Sequence, residues 1–162
     1  NQGQTAKDEV EGGFLWAPKR NKQGTPLTHH TDLLKANPGD VVFAYSQGAI
    51  HSICEVTENA VTSMKPSTLA TDLWEEDGNL LRVKYFPLSP KLKKVSIPED
   101  KRKKEVGPFD VNGNVKQGYF YSVSKEFAEY LLSSFQDSFP ATFKLQGSTR
   151  KATNLSEKRL VN

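Results

Sequence analysis

Cysteine is nearly absent: Cys54 stands alone among 162 residues, which excludes an internal disulfide and makes an intracellular, cytoplasmic setting the expectation. No apolar run approaches the roughly 20 residues that a membrane span needs, so a soluble chain with no membrane partner is expected. No charged and then apolar leader follows Asn1, so no secretory signal is expected, and the chain reads as a fragment of something longer. The familiar catalytic constellations are missing as well. His29 and His30 are adjacent and would point apart on a helix or strand, and no HxxxH or CxxC spacing occurs, so a zinc site is not expected. There is no GxSxG and no Walker loop. Gly12-Gly13 and Gly107-Pro108 are turn material rather than a GxGxxG fingerprint, so neither metal nor organic cofactor is expected. Glu75-Glu76-Asp77, just ahead of Gly78, reads as an exposed turn rather than an acid/base cluster. Together these absences point away from an enzyme.

What the sequence does have is the composition of one globular domain, with 36% hydrophobic and 25% charged residues, enough apolar material for a real core. Net charge is only +3, but it is unevenly spread. Residues 1–81 carry 6 Lys/Arg against 11 Asp/Glu, and residues 82–104 carry 9 against 2. That basic stretch, RVKYFPLSPKLKKVSIPEDKRKK, is suited to phosphates, because each neutralised phosphate releases condensed counterions. A solvated lysine-rich loop has the same composition. The candidate phosphate contacts are Lys19, Arg20, Lys101, Arg102, Lys103 and Lys104.

Turn residues punctuate the chain into short strands with two helical stretches. Asp40 to Ala44 follows the Asn37-Pro38-Gly39 turn signal and is β-branched and aromatic. Ala49 to Val56 alternates apolar and polar side chains, the period of a half-buried strand. Tyr45-Ser46-Gln47-Gly48 between them predicts a hairpin. Leu80 to Phe86 and Gly118 to Val123 are further strands, each behind an Asn/Gly turn signal. Ser124 to Phe135 is predicted as a helix capped by Ser124, with Phe127, Tyr130, Leu131 and Ser134 on one face. A shorter helix is predicted over His30 to Lys35. The stretch 146–162 is polar and reads as a linker or tail, leaving 1–145 as the domain. Many strands, few helices and no strand-helix alternation predict an α+β small barrel with helices at its edge.

Several blocks resemble the EVE and YTH domains of the PUA-like superfamily. NQGQTAKDEVEGGFLWAPKRNK resembles the opening of EVE-type domains. The resemblance continues through HHTDLLKANPGDVVFAYSQGAIHSICEV, Leu73-Trp74, Gly78, Val83 to Leu88, and Lys116 to Tyr121, so it spans about residues 1–135. Thr31 stands where the family usually has Trp, and the family's first strand would precede Asn1.

The resemblance implies a PUA-like barrel that grips a flipped-out, modified base between aromatic walls. Trp16 then matches the first cage aromatic, Ala17 offers backbone groups to the base edge, and Asn1 and Gln2 hydrogen-bond the base. Trp74 matches the second wall, and Tyr45 with Ser46 closes a hairpin facing the pocket. Stacking of this kind contributes about 1–3 kcal/mol per base. Trp16 and Trp74 are also the rings a small barrel would bury as core. The implied partner is DNA bearing 5-methylcytosine or a relative, or N6-methyladenine, read as the specificity module of a modification-dependent restriction system with a C-terminal nuclease or NTPase module. Modified RNA is the alternative. A protein-interaction module without a base pocket and a small hydrolase are the remaining readings.

Overall fold

The structure, a computed structural model, describes residues 5–19, 28–69, 77–143 and 158–161. Within these, the chain is α+β: a largely antiparallel sheet curls into a half-barrel with a few helices at its edges. Helix α1 (Ala6–Gly12) ends at Gly13, whose φ of 67° is the left-handed conformation that lets the chain turn directly into strand β1 (Phe14–Pro18). A 3₁₀ stretch, Thr28–Lys35, covers the predicted short helix. Strands β2 (Val41–Ser46) and β3 (Ala49–Val56) form the predicted hairpin, with Gln47 and Gly48 both at positive φ in its two-residue turn.

Strand β4 (Val61–Met64) follows, then β5 (Asp77–Lys93), which extends well past the expected Leu80 to Phe86. It gains this length by serving three partners. Its first half pairs with β1 and β4, and its second half pairs with β3. Helix α2 (Glu99–Lys104), strand β6 (Phe120–Val123) and helix α3 (Lys125–Ser134) complete the main body. Ser124 caps α3 as expected: its Oγ accepts from the Phe127 N–H at 3.1 Å. The Ser124 N–H and hydroxyl in turn donate to the Glu105 carboxylate at 2.7 and 2.6 Å.

One expectation is corrected here. Within the stretch read as a polar tail, Lys158–Val161 forms strand β7, which lies between β2, parallel, and β6, antiparallel. Its backbone completes the ladder that β2 and β6 would otherwise leave open, a contribution that side-chain polarity does not report.

At β2 the sheet is buried on both faces, which explains why that strand reads as the continuous apolar run VVFA. Val42 and Ala44 join Leu15, Ala17, Cys54, Val56, Leu81, Val83, Tyr119 and Phe120 inside the curl. Val41 and Phe43 face outward, onto Phe127, Leu131 and Leu132 of α3 and onto Phe139 and Phe143. Irregularities in register at Ala44/Tyr45 and at Ile50/Ser52 bend the ribbon. A smaller third cluster, Phe14, Trp16, Leu69 and Leu80, covers the other face of β1 and the start of β5.

Candidate nucleic-acid interface

The strand that carries Trp16 pairs with β5 in the register Trp16 to Leu80 and Ala17 to Asn79. Trp16 therefore shares a face with Phe14 and Leu80, while Ala17 shares the opposite, inner face with Asn79 and Leu81. The indole lies across Gly78, where an added Cβ would sit 2.5 Å from the ring's Cζ2 and from the Ala17 carbonyl oxygen. Only glycine fits beneath it. Trp16 is 0% exposed, against Phe14, Leu69 and Leu80. This corrects the expectation of an open cage wall: in this structure the ring is core.

The backbone of β1 is fully engaged as well. The Val83 N–H donates to the Gly13 carbonyl and the Lys19 N–H to that of Asp77. By the antiparallel alternation, Ala17 turns its own N–H and C=O toward β5. They belong to the ladder and do not face a base, contrary to the role expected of Ala17. The opposite edge of β1 meets side chains. The Trp16 N–H is shared between Glu9 Oε1 at 3.3 Å and Tyr119 Oη at 3.2 Å, and the Tyr119 hydroxyl donates to Glu9. Tyr85 donates to the Phe14 carbonyl at 3.0 Å. These groups join the two ends of the curled sheet, since Tyr119 immediately precedes β6. Burial raises the Glu9 carboxyl to about 7, against the hydrogen bonds from Tyr119 and Trp16 that pull it down. The Tyr119, Tyr85 and Cys54 protons are likewise held well above their ordinary range, chiefly by burial.

Asn79 is the unexpected member of this end of the barrel. It is 1% exposed, and neither the oxygen nor the nitrogen of its amide has a hydrogen-bond partner. An amide left so costs about 1–3 kcal/mol.

Positive charge approaches the same strands. Arg82 and Lys84 are exposed on β5, alternating with buried Val83 and sharing the face of Leu80 and Trp16. Lys84 Nζ lies 5.1 Å from the centroid of Phe86. Lys19 pairs with Asp77 at 3.4 Å, an exposed ion pair that a phosphate can exchange at little cost. The α2 cations are less uniform than expected. Arg102 donates through Nε to the Ile97 carbonyl at 2.9 Å and through Nη1 to that of Gly113, so it is a loop clamp rather than a phosphate ligand. Lys101 sits 4.9 Å from the ring centroid of Tyr130, and Lys103 pairs with Glu99. Lys104 is exposed.

Tyr45 and Ser46 do not meet Trp16. Ile50, the partner of Tyr45, pairs with Leu92, whereas Trp16 pairs with Leu80. The twelve residue steps along β5 between Leu80 and Leu92 are about 40 Å of strand path at ~3.3 Å per residue. Tyr45 instead lines a shallow apolar hollow with Ile50, Lys94, Ile97, Phe109 and Phe127. Burial raises its hydroxyl, and nearby Arg102 partly offsets that. The hairpin is legible in the sequence, but its distance from Trp16 depends on the register of a third strand. Asn1, Gln2, Arg20 and Trp74 lie outside the described residues.

Arg82, Lys84, Glu9, Tyr119 and Asn79 were not singled out from sequence. The alternation in LLRVKYF contained the signal for the first two, because it sends Arg82 and Lys84 to one side. Among the described residues no group of three or more His, Cys, Asp or Glu is placed to hold a metal ion, and no helix is long and apolar enough to cross a membrane. Neither the known protein families nor the curated proteins contain a match to this chain.

Proposed function

We propose that this domain, strand β7 included, is a PUA-like, EVE/YTH-type reader that binds nucleic acid and recognises a single extruded, modified base, with DNA bearing 5-methylcytosine or a relative as its target. The observation that carries this reading is the arrangement on β1 and β5. A tryptophan lies over a glycine, and on the same face of the neighbouring strand the exposed cations Arg82 and Lys84 follow. The exposed cations supply a path for the phosphates, and the tryptophan, buried in the free protein, is the ring on which the base would stack. Stacking on Trp16 requires the base to take the place that Leu69 holds against the ring. Extrusion costs a few kcal/mol, which the ring contact and phosphate neutralisation offset. In this reading the chain is the cytoplasmic, non-catalytic specificity module of a modification-dependent restriction system, and a nuclease or NTPase module does the cutting.

Titration with DNA and RNA oligonucleotides, each bearing or lacking methylated cytosine or adenine, tests it. Modified DNA is expected to bind more tightly than its plain counterpart. The reading fails if no modified DNA does, and a preference confined to RNA moves it to RNA. Replacing Arg82 and Lys84 together with Gln should weaken all DNA sequences alike. The slope of log K against log salt should flatten by about 0.9 for each B-DNA phosphate that the variant no longer neutralises.

A further inference from the structure

The far end of β5 concentrates positive charge that the face of Trp16 does not use. Lys91, Lys93 and Lys94 follow one another closely there; Lys91 and Lys93 are exposed and Lys94 is half-buried. The ladder fixes where they stand. Ala49 pairs with Lys93 and Ile50 with Leu92, and the Lys94 N–H donates to the Gly48 carbonyl at 2.9 Å, so the lysines sit beside the β2-β3 hairpin turn. Ile50 and Leu92 are buried in the core that faces α3. Strand alternation therefore turns Lys91 and Lys93 to the other side of the ladder, away from α3. Burial, and then the charge of nearby Lys91, hold the His51 ring below the usual histidine range. The two segments that build this end, 41–54 and 83–98, contain no carboxylate. Lys7, Lys19, Lys35, Lys103 and Lys125 each have a carboxylate within ion-pair reach, whereas among the described residues Lys91, Lys93 and Lys94 have none.

We infer that this end of β5 is a second contact for nucleic acid, where Lys91, Lys93 and Lys94 grip the phosphate backbone of duplex DNA without regard to sequence. The inference rests on the nucleic-acid binding proposed above, but not on the modified base. Lys91 and Lys93 are two strand steps apart, about 6.6 Å at ~3.3 Å per residue, which is close to the step between neighbouring phosphates along one nucleic-acid strand. That distance lies inside the Debye length of roughly 8 Å at physiological salt, so the free protein screens these charges from one another only in part. A polyanion relieves the repulsion and releases its own condensed counterions. An ammonium is a point charge without the fork of a guanidinium, which suits it to phosphate oxygens whatever the bases beside them. Arg82 and Lys84 lie in the other half of β5, on the face of Leu80. The two groups of cations are therefore separate, and their contributions to binding should add.

Fluorescence anisotropy with plain and modified duplex DNA across a salt series tests it, comparing wild type with the triple variant Lys91→Gln/Lys93→Gln/Lys94→Gln. The slope of log K against log salt should flatten by about 2.7, at about 0.9 for each of three phosphates, and plain and modified duplexes should weaken by the same factor. If wild type prefers modified DNA and the triple variant keeps the wild-type slope, the inference is overturned while the reader function stands. If wild type binds all duplexes alike and the triple variant flattens the slope, the second contact stands and the modified-base reading falls. A triple variant that loses the preference for the modified base would place these lysines at the base site, which also overturns the inference. Lys7→Gln/Lys35→Gln/Lys125→Gln removes the same charge elsewhere, and an equal flattening there would trace the effect to net charge and refute the contact. A wild type that binds phosphatidylserine vesicles but no DNA would assign the lysines to a membrane surface instead. A further measurement needs no folded lysine variant. The His51 ring neighbours Lys91 of β5 and the Ser52 hydroxyl, and lies between the positions paired with Ala44 and Tyr45 of β2. It should titrate at higher pH once plain duplex DNA is bound, because phosphates offset the Lys91 charge. The resonance is one of three histidines and is assigned by its loss in His51→Gln; an unchanged titration refutes the contact.

Discussion

Replacing Glu9 with Gln should stabilise this protein at alkaline pH and leave it nearly unchanged in acid. The Glu9 carboxyl is buried, accepts from Tyr119 and from the Trp16 N–H, and has its pKa raised from 4.5 to about 7. The folded state therefore binds a proton that the unfolded state has released over the interval between those values. Stability contributed by Glu9 is fully present below pH 4.5, declines as pH rises toward 7, and levels off above it. The difference of about 2.5 pKa units corresponds to on the order of 3 kcal/mol at ~1.4 kcal/mol per unit. Gln keeps an oxygen to accept from Tyr119 and cannot ionise, so the variant should lack that slope. For a domain of this size, about 3 kcal/mol is a rise in Tm of roughly 6–12 °C at pH 8. Denaturant unfolding of both proteins from pH 4 to pH 8 measures it, and subtracting the two curves cancels every other titrating group. A difference curve that is flat across pH 4.5–7, or one that falls as pH rises, would refute the assignment of a buried, protonated carboxyl at the seam.

Two further outcomes follow from the same packing. Gly78→Ala drives a Cβ to 2.5 Å from both the Trp16 ring and the Ala17 carbonyl; it should cost about 1–3 kcal/mol and shift Trp16 fluorescence, and a variant as stable as wild type would mean the ring is free to move. Arg102→Lys should destabilise by about 1–3 kcal/mol, because one ammonium cannot reach both the Ile97 and Gly113 carbonyls. Its affinity for nucleic acid should stay unchanged after correction for folded fraction; a selective loss of affinity would return Arg102 to the interface.

Position by position, local sequence is a good guide wherever a single segment settles its own geometry. The Ser124 cap and the apolar stripe through Phe127 and Leu131 define α3 without outside help. The β2-β3 hairpin is similarly local, because Gly48 and the flanking runs specify turn and register together. Trp16 shows where such reasoning stops. GGFLWAP marks a buried-looking strand with a tryptophan in it, but whether the ring faces a ligand or the core depends on Leu69 and Gly78, more than fifty residues away.

Composition and pattern by themselves determined an α+β class rich in strands, the position of its hairpin and main helix, and a basic segment beginning at Arg82. These follow from backbone propensity and from the period of apolar residues, which act over a few neighbours. Tertiary structure alone decided the rest. The register of β5 against three partners separates Tyr45 from Trp16 and brings Arg82 to the tryptophan's face. Closure of the curl brings Glu9 against Tyr119, 110 residues later in the chain, and raises its pKa. Inclusion of β7 in the sheet turns part of a polar tail into a strand. Each of these is a long-range pairing, fixed by which backbone edges and buried groups need partners rather than by any residue's own preference.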